Sequence, residues 1–373
     1  MSRNIIDLFS GTGGFSLGAH YAGFTDEIAI DIDPILTSSF KTNFPNADIL
    51  LGDISELNIK DIYKSTNKNW KSLDGIVGGP PCQGYSLIGN RDPSDPRNSL
   101  VFHFFRMIKE SSPKFFIMEN VPGILDPRFL HHLTDGLNLV ASKYEILEPL
   151  RINAADFGAA TSRERVIFIG YRKDYVDPIT HNDIRRRMVK KRNTVRTAIS
   201  DLPLLKNATS DETGQFWAKY TKRQESIKNS PYIYAARKRP ISGLADKTAR
   251  QAHAAKLISG FQPTLHTENV LRRMKDVIPG KHDPISKCPR LSWDGLCPTL
   301  RAGTGSDRGS HQSIRPIHPK EDRVITVREA ARLQGFPDWF QFHPTIWHSF
   351  RMIGNSVSPY ISNKLLKLIA EKY

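Results

Sequence analysis

Cysteine is scarce in this chain: Cys82, Cys288 and Cys297 are the only three thiols in 373 residues. Three cannot build a disulfide framework, and no charged-then-apolar leader opens the sequence, so a reducing, cytoplasmic setting is expected. No apolar run is long enough to span a bilayer, which predicts no membrane partner. Internal repeats and low-complexity tracts are also lacking, so a compact globular chain with one large core and a second lobe is the expected organisation. Acidic side chains number 38 against 53 basic ones, and the shortfall is local. Residues 171–322 hold 30 Lys and Arg against 15 Asp and Glu, whereas the rest of the chain holds 23 of each. A basic lobe on a neutral core is the pattern expected of a protein that binds a polyanion, nucleic acid above all.

What is present is a βαβ series. RNIIDLF, EIAIDID, LDGIVGG, KFFIMEN and RVIFIG, all within residues 3–170, are rich in Ile, Val and Phe, and all but the first end in Gly, Asp or Asn, which predicts strands. Segments 34–43, 99–109 and 127–141 predict the crossover helices. The fold class is therefore α/β, a doubly wound, mostly parallel sheet with a second, smaller and irregular domain. Order is lost after about Tyr171 and returns at RVITVREAARLQGF, where Thr326 with Glu329 three residues on predicts a capped helix. A last helix is expected after Asn355. The expected division is 1–175 for catalysis and cofactor binding, 176–320 for the basic recognition lobe, and 321–373 returning to complete the first.

Ligands of such sheets bind beyond the carboxyl ends of the strands, where the unusual residues fall. DLFSGTGGFSLG places Gly11, Gly13 and Gly14 in a tight turn between strand and helix. The third glycine of the dinucleotide fingerprint is missing, because Ser16 stands in its place. Asp31 ends the next strand, where a carboxylate bonds ribose hydroxyls, and Asp53 can accept from an adenine amine. Together these point to a nucleoside-bearing cofactor. In GGPPCQGYS, Pro80 and Pro81 stiffen the stem before Cys82, and a polar loop follows. That suits a nucleophile under a closing lid rather than a packed thiol, with Arg163 and Arg165 as candidates to ionise it. Glu119 ends an apolar strand, a setting that raises a carboxyl pKa toward proton donation. Arg163 and Arg165 alternate along a strand and so share a face. Cys288 and Cys297 lie near His282 and His311, but the spacing matches no zinc pattern, and no metal is expected.

The ordered motifs FSGTGGF, Gly52-Asp53, GGPPCQGYS, MENVPG, RER, REAARLQGFPD and GNSV resemble the DNA (cytosine-5) methyltransferases of the bacterial restriction-modification type. The resemblance covers nearly the whole chain outside the middle lobe. It implies a methyltransferase fold whose final helix packs back beside the first strand, with a variable middle lobe that reads duplex DNA. It implies that Cys82 attacks carbon 6 of a flipped-out cytosine, that Glu119 holds ring nitrogen 3 and the amine, that Arg165 holds oxygen 2 and that Arg163 supports the site. The cofactor would be S-adenosyl-L-methionine, in a pocket of Phe9, Ser10, Gly11, Thr12, Gly13, Gly14, Asp31, Ile32, Asp53, Ile54 and Pro80, closed by Asn355, Ser356 and Val357. Gln83, Gly84, Tyr85 and Ser86 would begin the loop that closes behind the base. Two positions depart from the family: Thr161 stands where relatives often carry glutamine, and Ile32 replaces a frequent aromatic. A monomer in the cytoplasm, associated with the nucleoid, is implied, with a cognate restriction endonuclease acting on the same site. Methylation of tRNA with the same residues and an inactive DNA-binding homologue are the rival readings. The intact glycine turn, Cys82 and Glu119 weigh against the second, and a nicotinamide oxidoreductase leaves PPCQ without a role.

Overall fold

The computed structural model describes residues 3–66, 73–81, 99–221, 230–301 and 315–373. Its centre is a sheet built from β1 (Arg3–Leu8), β2 (Phe24–Asp31), β3 (Asp48–Leu51), β4 (Leu73–Gly78), β5 (Phe115–Asn120), β6 (Glu145–Ile146), β7 (Leu150–Asn153) and β9 (Glu164–Tyr171). The order is β3-β2-β1-β4-β5-β9-β6, with β7 also paired to β9. Strands β1 to β5 are parallel, and β9 runs antiparallel to β5, β6 and β7. Every residue of β4 and β5 is buried, which is why both read as unbroken apolar runs rather than alternating ones. The two-residue period still decides which core each side chain enters. Ile6, Leu8, Ile76 and Phe116 face one layer with Phe104, Phe105 and Ile108, whereas Ile5, Val77, Phe115 and Ile117 face Phe15, Leu365 and Leu366.

Helices α1 (Gly14–Tyr21), α2 (Phe40–Asn43), α3 (Ile59–Thr66), α4 (Leu100–Ser111) and α5 (Leu130–Asn138) complete the two layers. Two expectations change here. Segment 34–43 is a series of turns ending in the single helical turn of α2, because Asp33 Oδ1 takes the Ile35 and Leu36 amides while the Thr37 and Ser38 hydroxyls bond back to local carbonyls. Segment 127–141 starts as a 3-10 turn at its proline and becomes helical only in α5.

The carboxyl-terminal segment packs against the amino-terminal elements. Thr326 caps the Val327–Gln334 helix, accepting from Glu329 N at 3.2 Å while Glu329 accepts from Thr326 N at 2.7 Å. The final helix, Pro359–Glu371, lies against α1, with Ser362 Oγ donating to Gly14 O at 3.1 Å and Asn363 to Gly18 O at 3.3 Å. The middle segment carries a small antiparallel sheet, Thr209–Ser210, Phe216–Lys219 and Leu257–Ser259. Its side chains join one core with Leu17, Ala29, Phe40 and Leu333. Two fully buried arginines of the returning helix bind it. Arg332 bridges Asp338 and Asp201 and donates to Ala198 O, and Arg328 donates to Ser259 O, Pro337 O and Phe340 O. The charged side chains of REAARLQG, Arg328, Glu329 and Arg332, are the interior of the joint.

Candidate active site

Strand order places the carboxyl ends of β1, β2, β4 and β5 around one cavity of about 420 Å³, a size suited to a small-molecule cofactor. On its first wall, the chain leaves β1 through Phe9 and Gly11, both at positive φ (60° and 52°). This turn directs the Gly11 amide at Asp31 Oδ2, 2.8 Å away. Asp31 also accepts from the Asp33 amide at 2.9 Å, and burial pushes its carboxyl above the usual range despite these bonds. Ile32 stands at the rim, 64% exposed, and Asp53 and Ile54 line the far side. The residue replacing the third glycine has its own purpose: Ser16 Oγ donates to Asp7 Oδ2 at 2.6 Å, holding the start of α1 to β1. Gly13 does not line the cavity. A side chain there would strike the Phe40 and Phe44 rings, with Phe44 2.4 Å from an ideal Cβ, so this glycine serves packing behind the turn.

A second wall comes from residues 354–357, 323 or more positions after Asp31, with Asn355, Ser356 and Val357 all facing the cavity. Gly14 makes their approach possible, since a Cβ on it would lie 2.2 Å from Val357 O. Opposite lie Pro80, Pro81, Glu119, Arg163 and Arg165. Asn120 secures the Pro-Pro stem by donating to Pro80 O at 3.2 Å. Glu119 Oε1 sits 2.7 Å from Arg165 Nε, so the carboxylate meets a guanidinium instead of the purely apolar setting expected of it. Arg163 is buried and donates to Gly354 O at 2.8 Å, tying β9 to the second wall. The Cys82 expectation and those for Gln83, Gly84, Tyr85 and Ser86 lie outside the described residues. Sequence reasoning missed Asn120 as a clamp and the Arg351–Asp33 ion pair (2.5 Å) that joins the two walls. Asn120 was visible in ENV, but Arg351 had no local signal.

The walls meet the needs of a nucleoside carrying a sulfonium amino acid. Glycine-bounded backbone, the Asp31 acceptor and a buried Ser10 hydroxyl without a partner among the described residues are the donor and acceptor set such a molecule requires. Cys297 is fully buried and burial drives its thiol pKa far up, so it is inert packing. Among the described residues no three His, Cys, Asp or Glu side chains form a metal cluster, and no helix is long and apolar enough to cross a membrane.

The family model for C-5 cytosine-specific DNA methylases matches residues 3–371, both walls included. The chain belongs to that family. The methylase is 37% identical to the type II methyltransferase M.XorII of Xanthomonas oryzae pv. oryzae, across 100% of this chain and 87% of that one. It is 34% identical to M.DdeI of Desulfomicrobium norvegicum, across 98% and 88%. Among solved structures, a prophage-encoded protein of E. coli described as a DNA modification methyltransferase superposes with a TM-score of 0.86 at 38% identity, covering 100% of this chain and 99% of the other. The methylase is thus a DNA (cytosine-5) methyltransferase with an α/β methyltransferase fold, and S-adenosylmethionine is its methyl donor.

Proposed function

We propose that the methylase modifies a cytosine turned out of a specific duplex site, through a covalent bond to Cys82. The observation that carries this reading is the Glu119–Arg165 pair at 2.7 Å, on the wall of the same cavity as Asp31 and residues 355–357. A carboxylate accepts from the exocyclic amine of cytosine, and a guanidinium donates to oxygen 2, so the pair can separate to grip one base edge. Pro81, the residue before Cys82, lines that cavity too.

When bound, S-adenosylmethionine would supply an electrophilic methyl group, its sulfonium–methyl bond breaking to leave S-adenosylhomocysteine. The Cys82 thiolate adds to carbon 6, forming an S–C bond and moving the ring electron pair onto carbon 5, which takes the methyl group. Glu119 and Arg165 hold the ring as charge shifts across it. Loss of the carbon 5 proton returns the electrons and expels the thiolate. None of these atoms is reachable inside a duplex, so the base is flipped at a cost of a few kcal/mol. Asp31 binds the ribose, Asp53 the adenine amine, and residues 355–357 cover them. Residues 176–320, the seat of the charge excess, read the DNA. The type II names of the relatives support a role in protecting sites from a cognate restriction endonuclease, which the methylase would play as a cytoplasmic monomer.

The test is intact-mass analysis after incubation with S-adenosylmethionine and mixed-sequence duplex DNA containing 5-fluorocytosine, beside Cys82→Ser. Fluorine cannot leave as a proton does, so a methylated adduct that the control lacks is expected. An adduct on fluorocytosine-containing tRNA alone would replace DNA with RNA as the substrate, and an adduct that survives in Cys82→Ser would remove the nucleophile.

A further inference from the structure

A two-residue strand, β8 (Thr161–Ser162), lies just before β9 and pairs in parallel with Cys297–Pro298 from the far end of the basic segment. Side-chain hydrogen bonds reinforce the backbone pairing of the two pieces. Cys297 N donates to Ala160 O at 3.0 Å, Thr299 Oγ1 to Ser162 O at 2.7 Å, and Thr161 Oγ1 is shared between Cys297 O at 3.1 Å and Pro298 O at 3.3 Å. Thr161 has no exposed surface, so nothing from solvent substitutes for its hydroxyl. The ladder then reaches the site. Arg163 extends one nitrogen to Leu300 O at 3.5 Å and Gly354 O at 2.8 Å, and two residues later Arg165 meets Glu119. One buried side chain thus touches the basic segment and the cofactor wall, immediately before the strand that carries the base-gripping arginine.

We propose that Thr161 is a positioning residue whose hydroxyl clasps residues 297–300 to β8 and so sets the register of Arg163 and Arg165. The inference rests on the reading of Glu119 and Arg165 as the groups that hold cytosine. A hydroxyl proton shared between the buried Cys297 carbonyl and that of the exposed Pro298 has no replacement in valine, which matches threonine in shape but leaves the Cys297 side of the clasp without its side-chain donor. Release of the strand displaces the fork of Arg165, and a misplacement of about 1 Å costs on the order of 100-fold in rate.

The experiment compares Thr161→Val, Thr161→Ser and Glu119→Gln with the parent enzyme. Steady-state methylation of duplex DNA, S-adenosylhomocysteine affinity by calorimetry and hydrogen exchange over residues 297–300 are measured on each. Thr161→Val should lose roughly tenfold to 100-fold in kcat. Its KM for DNA and its cofactor affinity should stay within about threefold, because the clasp touches neither ligand, and exchange at residues 297–300 should rise. Thr161→Ser, which keeps the donor, should restore kcat and protection. If valine does not yield folded protein, Thr161→Cys, with a weaker donor of similar size, should show an intermediate kcat. A Thr161→Val enzyme with parental kcat overturns the clasp, and so does a loss that serine fails to restore. Glu119→Gln separates the two readings. If it is inactive while Thr161→Val is normal, only the clasp is lost; if it is fully active, the site assignment falls and the clasp with it.

Discussion

Gly14→Ala gives the most direct test of how the cofactor cavity is closed. Gly14 opens α1 and is not among the glycines at positive φ, so alanine meets no backbone obstacle. Alanine is favoured locally by roughly 0.5–1 kcal/mol, because glycine has more backbone entropy to lose on folding. Against this, the new Cβ would lie 2.2 Å from Val357 O, 3.1 Å from Ser356 Cβ and 3.3 Å from Val357 C. Two of these atoms are backbone, held in place by Gln334 donating to Ser356 O at 3.1 Å, so residues 356–357 must retreat by about 1 Å. Overpacking of this kind costs about 1–3 kcal/mol, which exceeds the local gain at most of its range. The retreat opens the wall formed by Asn355, Ser356 and Val357. We expect S-adenosylhomocysteine to bind about tenfold to 100-fold more weakly by calorimetry, equivalent to roughly 1.4–2.8 kcal/mol. The ligand-free melting temperature should fall. Unchanged affinity with a raised melting temperature, the outcome propensity alone dictates, would refute the reasoning.

Other perturbations probe the remaining contacts. Asp31→Asn should bind cofactor about tenfold more weakly, by loss of a charged hydrogen bond. The same change should stabilise the free protein near neutral pH, because a carboxyl whose folded pKa is raised contributes stability below its unfolded pKa and loses it as pH rises through the folded value. Melting curves between pH 4 and 8 check the sign, and a variant less stable than the parent at pH 7 contradicts it. The Asp33–Arg351 pair spans the cavity walls with both partners about a quarter exposed, so its contribution should be under about 1 kcal/mol and screened by salt. Cofactor release from the parent should therefore quicken up to several-fold as salt rises, whereas Asp33→Asn should release quickly at all salt concentrations; equal salt responses in stopped-flow would remove the pair from this role. Arg332→Met leaves the buried Asp338 with only the Tyr220 hydroxyl and Asp201 with only Arg237 as a cationic partner, and should cost about 3–5 kcal/mol in denaturant unfolding. A loss below about 1 kcal/mol would mean that the network relaxes around the gap.

Much of the architecture was legible because its signals are local. Apolar strand runs, the glycine turn after β1 and the Thr326–Glu329 capping box each depend on neighbours within a few residues. Segment 34–43 misled because apolar spacing was read without weighing hydroxyls that bond to their own backbone. The candidate site was legible by another route, since strand ends in a parallel sheet converge whichever helices connect them. What escaped notice has no local mark: Gly13 looks like its neighbour Gly14, yet one packs against phenylalanines and the other against residues 356–357.

By itself, the sequence determined that this chain forms a parallel α/β sheet with ligand-bearing strand ends and confines its positive charge to a middle segment, because periodicity, turn chemistry and composition act at short range. Only the tertiary structure decided which distant residues become partners. It buried Arg328 and Arg332 in a joint, brought residues 354–357 over Gly14, and set Thr161 against Cys297 across 136 positions. The physical reason is that a buried charge or hydroxyl must be satisfied by whatever the packing brings near, and in this fold the partner lies in another lobe.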